Sequence, residues 1–195
     1  GDESAPMGRA AELYRQEYTH TVLIPGSKGE RWAGSMQANW NNYFAGTDEG
    51  TAWAGRRAWK QRLVEEFGID KSDIKYSHPP FNTKLDAEAL LRHARSHNMR
   101  SLAIVAHPHQ IERAWLSMVA TMRDTKTWFN VHAIVPETTN WNEIVPGSQG
   151  QNPKPRIEDI DPEMKRVLAY APKDVATVVE GLKYLQERDR GDFDH

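Results

Sequence analysis

Short apolar, β-branched runs alternate with stretches of helical period along most of this chain, and that alternation restricts the fold more than any other feature. The clearest run is Ser101-Leu-Ala-Ile-Val-Ala106, ended by Pro108. Thr21-Val-Leu-Ile-Pro25, Ile74-Lys-Tyr-Ser77 and Phe129-Asn-Val-His-Ala-Ile-Val135 are the others, closed by Pro25, Pro79-Pro80 and Pro136 respectively. The runs at 21–25 and 101–106 are apolar nearly throughout, which predicts strands buried on both faces, as in parallel sheets.

Helical spacing fills the intervals. Met7, Ala10, Leu13 and Tyr14 share a stripe over 6–17, and Trp59, Leu63 and Phe67 share one over 52–67, stopped by Gly68. Leu85, Ala89 and Ala94, with Leu90 and Leu91, form an inward face over 84–97. Ile111, Ala114, Trp115, Met118 and Met122 do the same over 110–123. Two further helices are expected at 161–170 and 173–188, divided by Pro172. Parallel strands need crossover connections, so the pattern predicts an α/β fold, a Rossmann-like three-layer sandwich with a mostly parallel sheet. At 195 residues the chain suits one such domain over 1–195, with an aromatic, lid-like insertion at 28–51 and a C-terminal helical segment at 156–188.

Residues 26–51 and 136–160 do not fit the alternation. Both are rich in Gly and Asn, and loops of that length in compact domains are commonly functional. Trp32, Trp40, Tyr43 and Phe44 within the first, and Trp53 just past it, give it the character of a lid or pocket wall, the alternative being a loop packed on its own domain. The chain has seven tryptophans, a mild pointer to a binding surface.

Composition narrows the function classes. With no cysteine, disulfides, zinc–thiolate sites and thiol nucleophiles are excluded, and a cytoplasmic setting is the expectation. A formal net charge of -2 offers no bulk attraction to nucleic acid or anionic lipid. No apolar run approaches the ~20 residues of a membrane span. The N-terminal residues lack the basic-then-apolar order of a signal peptide, although an upstream signal or anchor is compatible with the sequence. The expected partner is a small-molecule ligand, and the pattern leaves oligomeric state open.

In open α/β sheets, ligands bind beyond the carboxyl ends of the strands. Four segments fall there. Pro25-Gly26-Ser27 is a tight turn that can offer amide N–H groups and a hydroxyl to an anion, or simply end a strand. Asn82 or Thr83 can cap the following helix, whose N-terminus can instead face an anionic ligand; Lys84 there opposes the helix dipole and calls for a negative neighbour. The third segment, Val105-Ala-His-Pro-His-Gln-Ile-Glu-Arg113, crowds His107, His109, Gln110 and Arg113 at the end of the best strand. Either histidine can act as acid/base, the pair can ligate a metal, and Arg113 can hold a phosphate or carboxylate, or pair with a structural carboxylate. The fourth contains His132, mid-strand, and Glu137, just past the strand end; His78 before the double proline is ambiguous.

The order of these motifs resembles the YdcF/SanA/ElyC-like family, a domain-of-unknown-function group with a Rossmann-like fold. Arg9-Ala10-x-x-Leu13-Tyr14 resembles its first helix, Pro25-Gly26-Ser27 its Ser-Gly-Gly turn, and Ala58 through Ile69 a helix ending in Gly-Ile. Asn82-Thr83 matches its Asn-Thr pair, Val105 through Ala114 resembles its strand end with His and Arg-Ala, and Pro162 through Tyr170 resembles its glutamate–tyrosine helix. The chain departs from the family at Leu85-Asp86, where x-Glu-Asn is usual, at Ala106-His107 in place of Thr-Ser, and at Gln110 in place of histidine. The resemblance implies a nucleotide-like or phosphorylated ligand and makes S-adenosylmethionine a candidate cofactor; Asp86 joins the ligand-binding set by position. It also implies a central strand before the first helix, expected from upstream residues or a separate piece unless the strand at 21–25 takes that place.

The leading expectation is a small-molecule enzyme, a transferase or hydrolase, acting on a phosphorylated, nucleotide-like or amino-acid-derived substrate. His107 or His109 would be the acid/base, with Gly26, Ser27, Asn82, Thr83, Asp86, Gln110, Arg113 and Glu137 binding ligand. A non-catalytic module for S-adenosylmethionine or a carrier-lipid phosphate is the first alternative. A metal-dependent hydrolase using both histidines is the second, although no third ligand is evident in the sequence.

Overall fold

The computed structural model of the protein describes residues 4–24, 56–77, 83–147 and 151–193. Helix α1 is Ser4–Arg15, strand β1 Val22–Ile24, α2 Arg56–Glu65 and β2 Ile74–Tyr76. Then come α3 Thr83–Ser96, β3 Ser101–Val105, α4 Pro108–Thr125 and β4 Asn130–Ile134. A hairpin of β5 Ile144–Gly147 and β6 Gln151–Pro155 follows, then a 3₁₀ turn at Arg156–Asp159, α5 Ile160–Tyr170 and α6 Val178–Asp189. The chain is therefore mixed α/β, with short parallel strand pairs.

β1 pairs in parallel with β2, and β3 with β4. Among the described residues no ladder joins the two pairs. The first pair has its own core of Met7 and Ala11 from α1, Ile24, Leu63 from α2, Ile69 and Ile74. Gly68, with φ of +71°, turns the chain out of α2 so that the Ile69 amide can reach back to the Leu63 carbonyl. The second, larger core joins α3, α4, β4, α5 and α6 through residues such as Leu91, Met118, Val131, Val167 and Tyr184. α1 also touches β3, so it packs on both pairs.

α6 closes the outer edge of β4. The Tyr184 hydroxyl accepts from the Val131 amide at 2.6 Å and donates to the Phe129 carbonyl at 2.7 Å, while Arg188 donates to the Val131 carbonyl at 3.0 Å. Edge groups that would otherwise invite another strand are thereby satisfied. Gly181 makes the close packing possible: a Cβ there would meet Leu116 and Trp115 side-chain carbons at 2.9 Å.

Several expectations need correction. β3 is not buried on both faces: Ser101 and Ala103 are exposed and the other three residues only partly covered. In β1 only Ile24 is buried. The segment expected to be loop at 136–160 contains the β5–β6 hairpin and its 3₁₀ turn. The last helix begins at Val178 rather than 173, because Thr177 and Glu180 form a reciprocal capping box there. Leu85 lies on the exposed side of α3, whose buried residues are Ala87, Ala89, Leu91 and Ala94.

Candidate functional site

The carboxyl end of β3 leads through Ala106 into His107, which is extended and stands at the N-cap of α4. Pro108 follows at N1, where its fixed φ and missing N–H cost nothing. His107 and His109 are both buried and stack with ring centroids 5.6 Å apart and planes 15° apart.

The two rings have different surroundings. His107 Nδ1 lies 2.7 Å from Arg156 Nη1. A guanidinium only donates, so Nδ1 holds the lone pair and the ring proton sits on Nε2. Burial, then the Arg156 charge and His109, push the His107 pKa down to about 3, so the ring is neutral at ordinary pH. Arg156 is itself buried, at 1% exposure, and also binds Glu143 at 2.6 Å and the Asn140 carbonyl at 3.3 Å. His107 is thus knitted to the hairpin region. His109, by contrast, has a buried Nδ1 with no hydrogen-bond partner. Burial holds its pKa below the usual histidine value, against the opposing pull of Asp159.

One helical turn on, Arg113 ties three helices together. Its Nε donates to Glu163 Oε2 on α5 at 2.5 Å, and its Nη1 donates to Thr83 Oγ1 at the start of α3. Glu163 is 2% exposed and also receives Arg166 Nη1 at 2.5 Å. Burial alone would push the Glu163 carboxyl up, but the hydrogen bonds and charges of Arg113 and Arg166 outweigh it and hold it below the usual carboxylate range. Asp86, in the first turn of α3, has a buried Oδ1 with no partner. Burial raises its pKa to about 6, with Arg113 pulling the other way. Lys84 has the negative neighbours its position calls for: Asp174 at 2.9 Å and Asp124 at 3.7 Å.

Arg113 therefore bonds Thr83 directly and acts on Asp86 and His109 through its charge, with His107 stacked on His109. Arg113 takes the carboxylate-paired role that the sequence allowed. Gln110 sits on the same first turn of α4, its amide bonded to the His107 carbonyl at 2.9 Å. Glu137 is exposed and lies 3.4 Å from Arg9, which is held mainly by Glu12. His132 is exposed on β4. Gly26, Ser27, Asn82, His78 and the aromatic stretch at 28–51 lie outside the described residues.

Glu163, Arg156 and Glu143 complete the polar cluster without having been derivable from spacing. For Glu163 the signal was the helix Pro162–Tyr170 singled out by resemblance. Arg156 follows Pro155 and carries no motif. Among the described residues no three His, Cys, Asp or Glu side chains come together as a metal site. A separate cavity of about 270 Å³, lined by Lys60, Gln61, Val64, Glu65, Lys71 and Tyr76, belongs to the face of α2 and β2. No helix among the described residues is long and apolar enough to cross a membrane.

No protein-family model, curated protein or solved structure matches the chain, so its resemblance to the YdcF-like group rests on the quoted motifs.

Proposed function

We propose that the protein is a small-molecule enzyme of the YdcF-like kind, with its site at the carboxyl end of β3 on a Rossmann-like three-layer sandwich. The observation that carries this reading is the pair of orphaned, buried polar atoms, His109 Nδ1 and Asp86 Oδ1, both within electrostatic reach of the Arg113 guanidinium. Buried polar groups are nearly always satisfied, and two unsatisfied ones near the same arginine are what a ligand would satisfy. In this reading His109 is the acid/base. His107 positions it, because its own Nδ1 is taken by Arg156. Asp86 accepts from a hydroxyl or ammonium group, and the remaining donors of Arg113 face the anionic part. A phosphorylated, nucleotide-like or amino-acid-derived substrate offers both kinds of group. S-adenosylmethionine, with ribose hydroxyls and an amino-acid end, fits the same acceptor and donor set and is the cofactor candidate; when bound it would supply an electrophilic methyl group.

One observation favours the non-catalytic module as the second reading: Arg113 and His107 are already committed to protein partners, which leaves a single uncommitted imidazole. A panel of nucleoside phosphates, sugar phosphates, amino acids and S-adenosylmethionine, read by thermal shift and by product formation, separates the two. The enzyme reading predicts a ligand that stabilises the wild type, is turned over, and loses turnover in His109→Ala. Stabilisation without turnover supports the module. A ligand that stabilises wild type, His109→Ala and Asp86→Asn equally places the site elsewhere and refutes both.

A further inference from the structure

The C-terminal turn of α3 carries a second pair of histidines, separate from the cluster at β3. His93 and His97 are four residues apart, so their rings leave the same side of the helix. Their centroids lie 4.0 Å apart with planes 22° apart. The helical bonding continues past Ser96, since the His97 amide still reaches the His93 carbonyl at 3.2 Å.

The protonation of one ring follows from its neighbours. His97 Nδ1 lies 2.9 Å from the His93 carbonyl oxygen, which can only accept. Nδ1 therefore carries the proton and Nε2 the lone pair. Ser96 Oγ, 3.0 Å from the same Nδ1, further fixes the ring. This is the outer-shell arrangement that orients metal-bound histidines, with one nitrogen donating to a backbone carbonyl and the other left free for the ion. His93 Nε2, for its part, is buried and has no hydrogen-bond partner. Burial, then His97 and Lys75, hold the His93 pKa below the ordinary value, so its lone pair is available at neutral pH.

We propose that His93 and His97 bind a divalent late first-row transition ion through their Nε2 atoms. Two imidazole nitrogens about 2.0–2.1 Å from one ion stand roughly 3 Å apart, so the rings must turn from stacked to convergent, which their four-residue spacing on one side of the helix allows. The carbonyls at the C-terminus of α3 favour a cation as well. No third His, Cys, Asp or Glu among the described residues completes a set of three, so water takes the remaining positions. With only two nitrogen ligands and no imposed geometry, preference follows intrinsic affinity: Cu²⁺ above both Ni²⁺ and Zn²⁺.

The test is titration of the full chain with Cu²⁺ in a chelator-free buffer at neutral pH, followed by calorimetry and electron paramagnetic resonance. One equivalent bound with two nitrogen donors is expected, weakened tenfold or more by either His93→Gln or His97→Gln and unchanged by His132→Gln. Substoichiometric Cu²⁺ should also broaden the ring resonances of His93 and His97 first in the wild-type protein, a readout independent of how the variants fold. The proposal is overturned if no equivalent binds, if both glutamine variants bind as well as the wild type, or if another of the eight histidines broadens first.

Discussion

Asp86→Asn should make the protein more stable and less functional, and the stability gain should depend on pH in a specified direction. The Asp86 carboxyl is forced toward its neutral form by burial, with Oδ1 unpartnered, and its pKa rises from 3.8 to about 6. A carboxyl whose folded pKa lies above its unfolded value binds more protons when folded. Stability therefore falls as pH rises between about 3.8 and about 6, and the cost is complete above that window. Two pKa units correspond to roughly 3 kcal/mol at most, and partial solvent access brings the expectation to about 1–3 kcal/mol. Asparagine removes the charge while keeping the shape. Urea unfolding at pH 8 should show the variant more stable by about that amount, and at pH 3.5 the two proteins should nearly coincide. Equal gains at both pH values, or a loss at pH 8, would refute the reasoning.

Other expectations follow from single contacts. Tyr184→Phe leaves the buried Val131 amide and Phe129 carbonyl without partners and should cost about 1–3 kcal/mol by chemical denaturation. Glu163→Gln removes the shared counter-ion of Arg113 and Arg166 and should cost about 3 kcal/mol near neutral pH. Because the folded Glu163 pKa is depressed, its contribution is present above the unfolded value of 4.5 and fades as pH falls through the lower folded value, so wild type and variant should converge in acid. Gly181→Ala forces a Cβ against Leu116 and Trp115 and should lower the thermal midpoint, corresponding to about 1–3 kcal/mol.

The helices and the parallel strands were legible because their signals are local. Pro108 at N1 and Gly68 after α2 punctuate strongly, and the 3.6-residue stripes of α1 and α4 place Met7, Leu13, Met118 and Met122 in the core as expected. The β5–β6 hairpin was not legible, since Pro146, Pro153 and Pro155 suppress any strand signal. The start of α6 was missed although Thr177-Val-Val-Glu180 spells a capping box; Pro172 drew the boundary too early. Apolar character predicted two-sided burial for β3, but burial depends on what packs alongside, which no strand encodes by itself. At the site, sequence brought His107, His109 and Arg113 together because they are neighbours at the cap and in the first two turns of one helix. It could not say that Arg156 would claim one histidine and leave the other free, because that difference comes from a residue 49 positions away.

The asymmetry between the two stacked histidines is the central claim, and histidine-selective NMR tests it most directly. Ring ¹⁵N signals of the free protein should show His107 neutral with its proton on Nε2, from neutral pH down to at least pH 5. On addition of whichever panel compound stabilises the protein, the His109 ring signals should shift while the His107 tautomer stays fixed. A stabilising compound that leaves the His109 ring unmoved, or a His107 that titrates near pH 6.5, would contradict the account.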